Sequence, residues 1–323
     1  MSAITQNEDR NESAATMPVE IGRSRPFYWS VRRELWEHRA LWMAPLVAAA
    51  LILLSFVVNS LHLPGGRVLT NIEPGTLRAI ATGFYGAVSS VIVLTMIIVT
   101  WFYCLDALYS ERRDRSILFW KSLPVSDVTT VSSKLFVAAA VAPSISFTIV
   151  VATQLVILLI GSAIVLFAGG SPGALWSSVS LLQLTLALLY FLVVQAIWFA
   201  PLLAWLIFAS AGVRRSPTLG ALAVPAALCL VEKLALGTGH IFAMLKNWVT
   251  DGFLKAAFTF TDGDTPTRVQ GGFFNLHVNI PSRTFEAIDP MKFLSTPAVW
   301  IGLAIAAALL AATVWMRRYR EPL

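Results

Sequence analysis

The apolar positions of this chain gather into six long blocks, at residues 41–61, 84–108, 135–168, 179–213, 217–238 and 297–316. A bilayer's hydrocarbon core is about 30 Å thick and a helix rises about 1.5 Å per residue, so roughly 20 mostly apolar residues cross it. Every block meets that length. The pattern therefore predicts an all-α integral membrane bundle of six transmembrane helices. The third and fourth blocks exceed a single crossing, and each holds a proline part-way along, Pro143 and Pro201, where a helix kinks. Dividing one of them would reverse the side of everything downstream. Dividing both leaves halves that are short for a crossing. Six spans, two of them tilted or extending past the bilayer, is the simpler count.

The flanks carry their own patterns. Residues 1–25 are polar, with no apolar core before a small-residue cleavage site, and read as a disordered cytoplasmic tail rather than a secretory signal. Residues 26–40 predict an amphipathic helix. Phe27, Val31 and Leu35 fall on one line, Arg32, Arg33, Glu34, Glu37 and Arg39 cover much of the remainder, and Arg33–Glu37 is an i,i+4 pair. Trp29, Trp36 and Trp42 suit the headgroup zone. The two readings are an interfacial helix lying on the inner leaflet and a frayed extension of the first span. The connection 62–83 holds Pro-Gly turn signals. Segment 239–296 begins with an apolar stripe (Ile241, Met244, Leu245, Trp248, Val249) that Gly252 interrupts.

Composition and charge sharpen this picture. Of 323 residues, 57% are hydrophobic and 13% charged, where a soluble chain carries about 25% charged residues. A soluble enzyme, a disordered chain and a disulfide scaffold are excluded. Cys104 and Cys229 lie within apolar blocks, as small core residues do. The net charge of +6 would point to nucleic acid in a soluble protein. Its placement says otherwise. With both termini cytoplasmic, the inside segments (the N-terminal tail, loop 109–134, Arg214-Arg215 and the tail 317–323) hold 16 of the 24 Lys and Arg, and the outside segments, including 239–296, hold 7. That asymmetry fits the inner cell membrane as location, with no nucleic-acid partner.

Candidate chemistry is sparse. The four histidines share no metal-ligand spacing, Asp262-Gly263-Asp264 lacks the distal Glu of a calcium loop, and no Gly-x-Ser-x-Gly elbow occurs. Gly161-Ser162 reads as a packing notch between helices. Lys121-Ser122 is the one Lys followed by Ser or Thr, and Arg115 and Trp120 stand where a phosphate loop needs glycine. No catalytic, metal or nucleotide site is expected on this chain. Glu232-Lys233 lies within the fifth span, either toward its outer edge with Lys233 reaching water, or with Glu232 making a polar contact inside the bundle.

The informative stretch is the loop 109–134. Glu111 and Arg115 form an i,i+4 pair on a helix continuing the second span. Ile117, Leu118, Phe119, Trp120 and Leu123 follow, Pro124 stops the element, and Ser126 can N-cap the next helix with Asp127 in its first turn. Five large apolar residues in so short a loop cannot bury themselves. They lie on the membrane surface or fill a partner's groove. Here the chain resembles the permease subunit of type-2 ATP-binding-cassette transporters, through Glu111, Arg112, Leu123, Pro124, Ser126 and Lys134. Ser116 stands where that family often has glycine. The resemblance implies a membrane subunit, usually of an exporter, working with a second permease copy or paralogue and with separate ATPase subunits that carry the ATP and magnesium. It also implies that Glu111, Arg112, Arg115, Ser116, Ile117, Phe119, Trp120, Lys121, Leu123 and Pro124 form the docking site. The competing classes are an intramembrane enzyme acting on lipid or peptide, and a membrane anchor or assembly protein without transport.

Overall fold

The computed structural model describes residues 24–62, 74–114, 126–167, 169–178, 180–213, 216–258 and 288–319. Among these it is all-helical, apart from one isolated bridge between Phe258 and Ile288. Helix α1 (Ser24–Glu37) precedes α2 (Ala40–His62), and α3 (Pro74–Asp106) runs into the short α4 (Tyr109–Arg113). Next come α5 (Asp127–Phe136) and α6 (Ala142–Phe167), joined by a π-helical turn, Val137–Val141. After α7 (Gly173–Ser178) lie α8 (Leu181–Trp198) and α9 (Ala200–Gly212), then α10 (Pro217–Leu236), α11 (His240–Asn247), α12 (Phe253–Ala257), α13 (Pro290–Ser295) and α14 (Pro297–Tyr319). Six helical stretches are long and apolar enough to cross a membrane.

The two overlong spans resolve at their prolines. Pro201 has no N–H for the Ile197 carbonyl and its ring would crowd that carbonyl. The fourth span accordingly breaks at Phe199, whose backbone (φ −89°, ψ 5°) leaves the helix, and α9 restarts with Pro201 in its first turn. At Pro143 the chain does not break. The residue four before it, Ala139, sits in the π turn, where the ladder is widened and the missing donor is absorbed. The third helix is longer than the sequence indicates: it starts at Asp127 and runs continuously to Phe167. Ser126 caps it as expected, its hydroxyl accepting from the Thr129 amide at 3.1 Å.

The main core lies between α2, α3, α5–α6, α8, α9 and α10, around Ile92, Cys104, Val137, Leu206 and Ile207. Cys104 is fully buried and Cys229 is half-buried. Helices α9 and α14 lie side by side and run the same way. A Cβ on Gly302 would stand 3.5 Å from Pro201 Cγ, and one on Gly212 would stand 3.7 Å from Met316 Sδ. Gly161 likewise faces Phe56 and Leu175 at 3.9 Å, and Trp176 donates to the Ser162 hydroxyl at 3.0 Å, so that pair is a helix-packing notch.

Segment 239–296 is described for its two ends, and both fold back onto the fourth span. The Trp198 indole donates to the Trp248 carbonyl at 3.1 Å, and the Tyr190 hydroxyl donates to the Ala257 carbonyl at 2.8 Å. Phe253, Phe293 and Val299 complete an aromatic cluster around Trp198. The stripe interrupted by Gly252 meets that span through Trp248, whereas its Met244, Leu245 and Val249 are exposed. Gly252 itself has no alternative, because a Cβ would fall 2.9 Å from the Asn247 carbonyl oxygen and 3.2 Å from the Trp198 ring.

The Ser126 cap can be tested in detergent. Ser126→Ala should lower stability by about 1 kcal/mol, while Ser126→Asp, which keeps the acceptor, should retain it. Thermal unfolding and amide protection over Val128–Thr130 are the measurements.

Candidate functional site

At one end of the bundle the charged residues of four distant segments converge. Helix α1 supplies Arg33 and Glu34, α4 supplies Glu111, α5 supplies Asp127 and Lys134, and α14 supplies Arg317. The centre is Lys134, 1% exposed, whose ammonium lies 2.8 Å from Glu34 Oε1 and 3.1 Å from Glu111 Oε1. Arg33 reaches the same two oxygens at 2.7 and 3.0 Å. Arg317 takes the other oxygen of Glu111 at 2.8 Å and Asp127 Oδ1 at 2.9 Å. The Tyr103 hydroxyl donates to Glu34 Oε2 at 3.0 Å, with His38 3.8 Å from that oxygen and edge-on to the Tyr103 ring.

These positions follow from the chain. Phe27, Val31, Glu34 and His38 step by four, three and four residues, which is one stripe of a helix. Phe27 packs edge-on against Phe136, and Val31 packs against the core. Glu34 is therefore carried inward by the same stripe that buries its apolar neighbours. It is fully buried. The sequence reading placed it among the polar residues on the remaining surface, and its register in the stripe was the signal that located it. The expected Arg33–Glu37 pair is present at 3.4 Å.

Arg112 extends the network to a fifth segment. Its guanidinium donates to the carbonyls of Ser210 at 3.0 Å and Val213 at 2.7 Å. These lie in the last turn and at the cap of α9, where carbonyls lack intrahelical donors and the helix dipole favours a cation.

The docking residues expected from sequence divide sharply. Glu111 and Arg112 are buried, held by Lys134, Arg317 and the end of α9, so they present no surface to a partner. Both residues hold the helices together from within. Arg115, Ser116, Ile117, Phe119, Trp120, Lys121, Leu123 and Pro124 lie outside the described residues. Lys134, known to the sequence reading only through the family resemblance, is the hub. Glu232 makes its polar contact with the turn that follows its own helix. Its carboxylate accepts from the amides of His240 and Ile241, at 2.6 and 2.8 Å, and from the Thr238 hydroxyl at 2.8 Å. It thereby closes the turn at Gly237 (φ 65°), and Lys233 is exposed.

Chemically, the network is built to hold rather than to react. Glu34, Glu37 and His38 bring ligand atoms within 4.8 Å of one another, the one such group among the described residues. Yet both Glu34 oxygens already accept from Lys134, Arg33 and Tyr103, so an ammonium and a guanidinium stand where a metal would. Burial alone would raise the Glu34 carboxyl, but Lys134 and Arg33 outweigh it and hold the group down at about 2.

Removing Lys134 leaves two carboxylates facing each other in the interior. Lys134→Met should cost about 3–5 kcal/mol of stability in detergent, and adding Glu34→Gln should recover part of that loss. The stabilisation from Glu34 ionisation is fully present above its ordinary value of 4.5 and disappears as the pH falls through about 2. The unfolding midpoint should therefore drop between those pH values, and Glu34→Gln should flatten the drop. No protein-family model, curated protein or solved structure matches the chain.

Proposed function

We propose that this chain is the membrane-spanning subunit of a type-2 ATP-binding-cassette transporter, one of two permeases that line the pathway, driven by separate ATPase subunits docking on residues 115–124. The observation that supports this reading best is where the ion network grips the chain. Glu111 stands just before the 115–125 stretch and Asp127 and Lys134 just after it; Glu111 is paired with both α1 and α14, Asp127 with α14 and Lys134 with α1. A displacement of that stretch is thereby shared with the entry helix, the second and third spans and the last span. Arg112 passes it to the fourth. A loop whose two roots are fixed in one rigid unit is suited to receive a push and deliver it to helices.

Glu111 and Lys134, two residues that carry the family resemblance, are central to this unit, which gives them a mechanical role in place of a contact role. Phe119, Trp120 and Lys121 remain the docking contacts under this reading. Export as the direction rests on the resemblance alone, and ATP and magnesium belong to the partner.

The test is affinity purification of the full chain in mild detergent, with ATP hydrolysis in the eluate as readout. The wild type should carry ATPase activity. Trp120→Ala with Lys121→Ala should reduce that activity at least tenfold while membrane insertion is unchanged. Equal ATPase recovery from both would remove the docking role, and none from either would favour the non-transporting anchor.

A further inference from the structure

Helix α1 turns its central charged residues inward and its large rings outward. Glu34 is fully buried, whereas Tyr28, Trp29 and Trp36 are 60%, 57% and 68% exposed. Trp29, Arg32 and Trp36 follow three- and four-residue steps, so they form one row on the outer side. The Arg32 guanidinium carbon lies 5.2 Å from the Trp29 ring centre and 5.5 Å from that of Trp36. Arg32 therefore stacks on two indoles. Among the described residues it pairs with no carboxylate; Glu37 is taken by Arg33.

This arrangement leaves a specific capacity unused. A guanidinium has its donors in its own plane. Indoles against its faces hold it in place and leave edge N–H groups to engage an anion, and a phosphate accepts such a pair of parallel bonds. The row lies where phosphates are dense. Helix α1 ends at Glu37 and the apolar first span starts at Ala40, so α1 stands at the headgroup level, where indoles prefer to sit. The next seven-residue step from Trp36 lands on Met43, followed by Val47 and Leu51, all exposed on the first span. The row is thus continuous, in spacing, with a face that lipid covers. Arg39 is exposed beside it and adds a second positive charge.

We propose that Trp29, Arg32 and Trp36 form a binding site for the phosphate of an anionic phospholipid in the leaflet against which α1 lies. Arg32 binds the phosphate through its edge donors, and the two indoles fix the guanidinium and seat the site at the depth of the headgroups. Anionic lipid is favoured over zwitterionic because no carboxylate among the described residues neutralises Arg32. The site is independent of what the loop at 115–125 binds.

The experiment uses the full chain in nanodiscs of equal phosphatidylglycerol and phosphatidylcholine with matched acyl chains, and native mass spectrometry to count retained lipids. Wild type should retain phosphatidylglycerol preferentially. Arg32→Ala should weaken that retention about fivefold, equivalent to about 1 kcal/mol, with phosphatidylcholine unchanged. Arg32→Lys should fall between them, because it keeps a charge and loses the fork. Unfolding of Arg32→Ala in phosphatidylcholine alone should match wild type, since Arg32 takes no part in the ion network. Equal retention of both lipids by wild type, or undiminished phosphatidylglycerol on Arg32→Ala, overturns the proposal. So does loss of a co-purifying protein from Arg32→Ala with lipid retention intact, which would make the row a protein contact.

Discussion

A single ammonium, that of Lys134, is the point on which one end of this bundle depends. Taking an ion out of water costs several kcal/mol even after relaxation, and attraction repays that only with near-ideal geometry and further hydrogen bonds to the ions. Lys134 meets the condition by lying within 3.1 Å of two carboxylates contributed by different helices. Each carboxylate in turn is satisfied elsewhere, Glu34 by Arg33 and Tyr103, Glu111 by Arg33 and Arg317. No member can leave without stranding another. Apolar packing between spans has no such selectivity, since lipid tails are as apolar as leucine. The ion network is what makes one arrangement of α1, α4, α5 and α14 preferable to its neighbours.

The spans and the special points within them were legible from the chain because they depend on local chemistry. Block length located six crossings, Pro201 located the break in the fourth, and Ser126 located the start of the third helix. The network was legible only in part. Arg33, Glu34, Glu111, Lys134 and Arg317 are separated by up to 284 positions in the numbering, and nothing in local pattern says which charges meet. Helical register does say which side each one faces. Glu34 shares a stripe with Phe27 and Val31, and that stripe is buried; reading Glu34 as surface followed its charge and ignored its phase. The burial of Glu111 and Arg112 was not legible for a related reason, since a charged helix end looks the same whether it meets solvent or another helix end.

The far side of the fourth span shows a second economy. Glu232 spends its carboxylate on the first amides of α11, so an acid inside an apolar block serves as a cap for the next element. Trp198 and Tyr190 then bind the following backbone through their polar tips while their rings fill the cluster around Phe253 and Phe293. Backbone at membrane depth has to be satisfied by protein wherever it is not regular helix, and these three side chains supply that at the turn, at the π-helical stretch Trp248–Gly252 and at the end of α12.

The composition of the ion network has an electrical consequence. Apart from Arg112 and Glu37, which carry opposite charges, its members are three cations, Arg33, Lys134 and Arg317, and three carboxylates, Glu34, Glu111 and Asp127. A bare charge crossing the membrane field would exchange about 2.3 kcal/mol per 100 mV. Six groups that sum to zero and travel together exchange almost none. Displacing this unit along the membrane normal would therefore exchange almost no energy with the voltage.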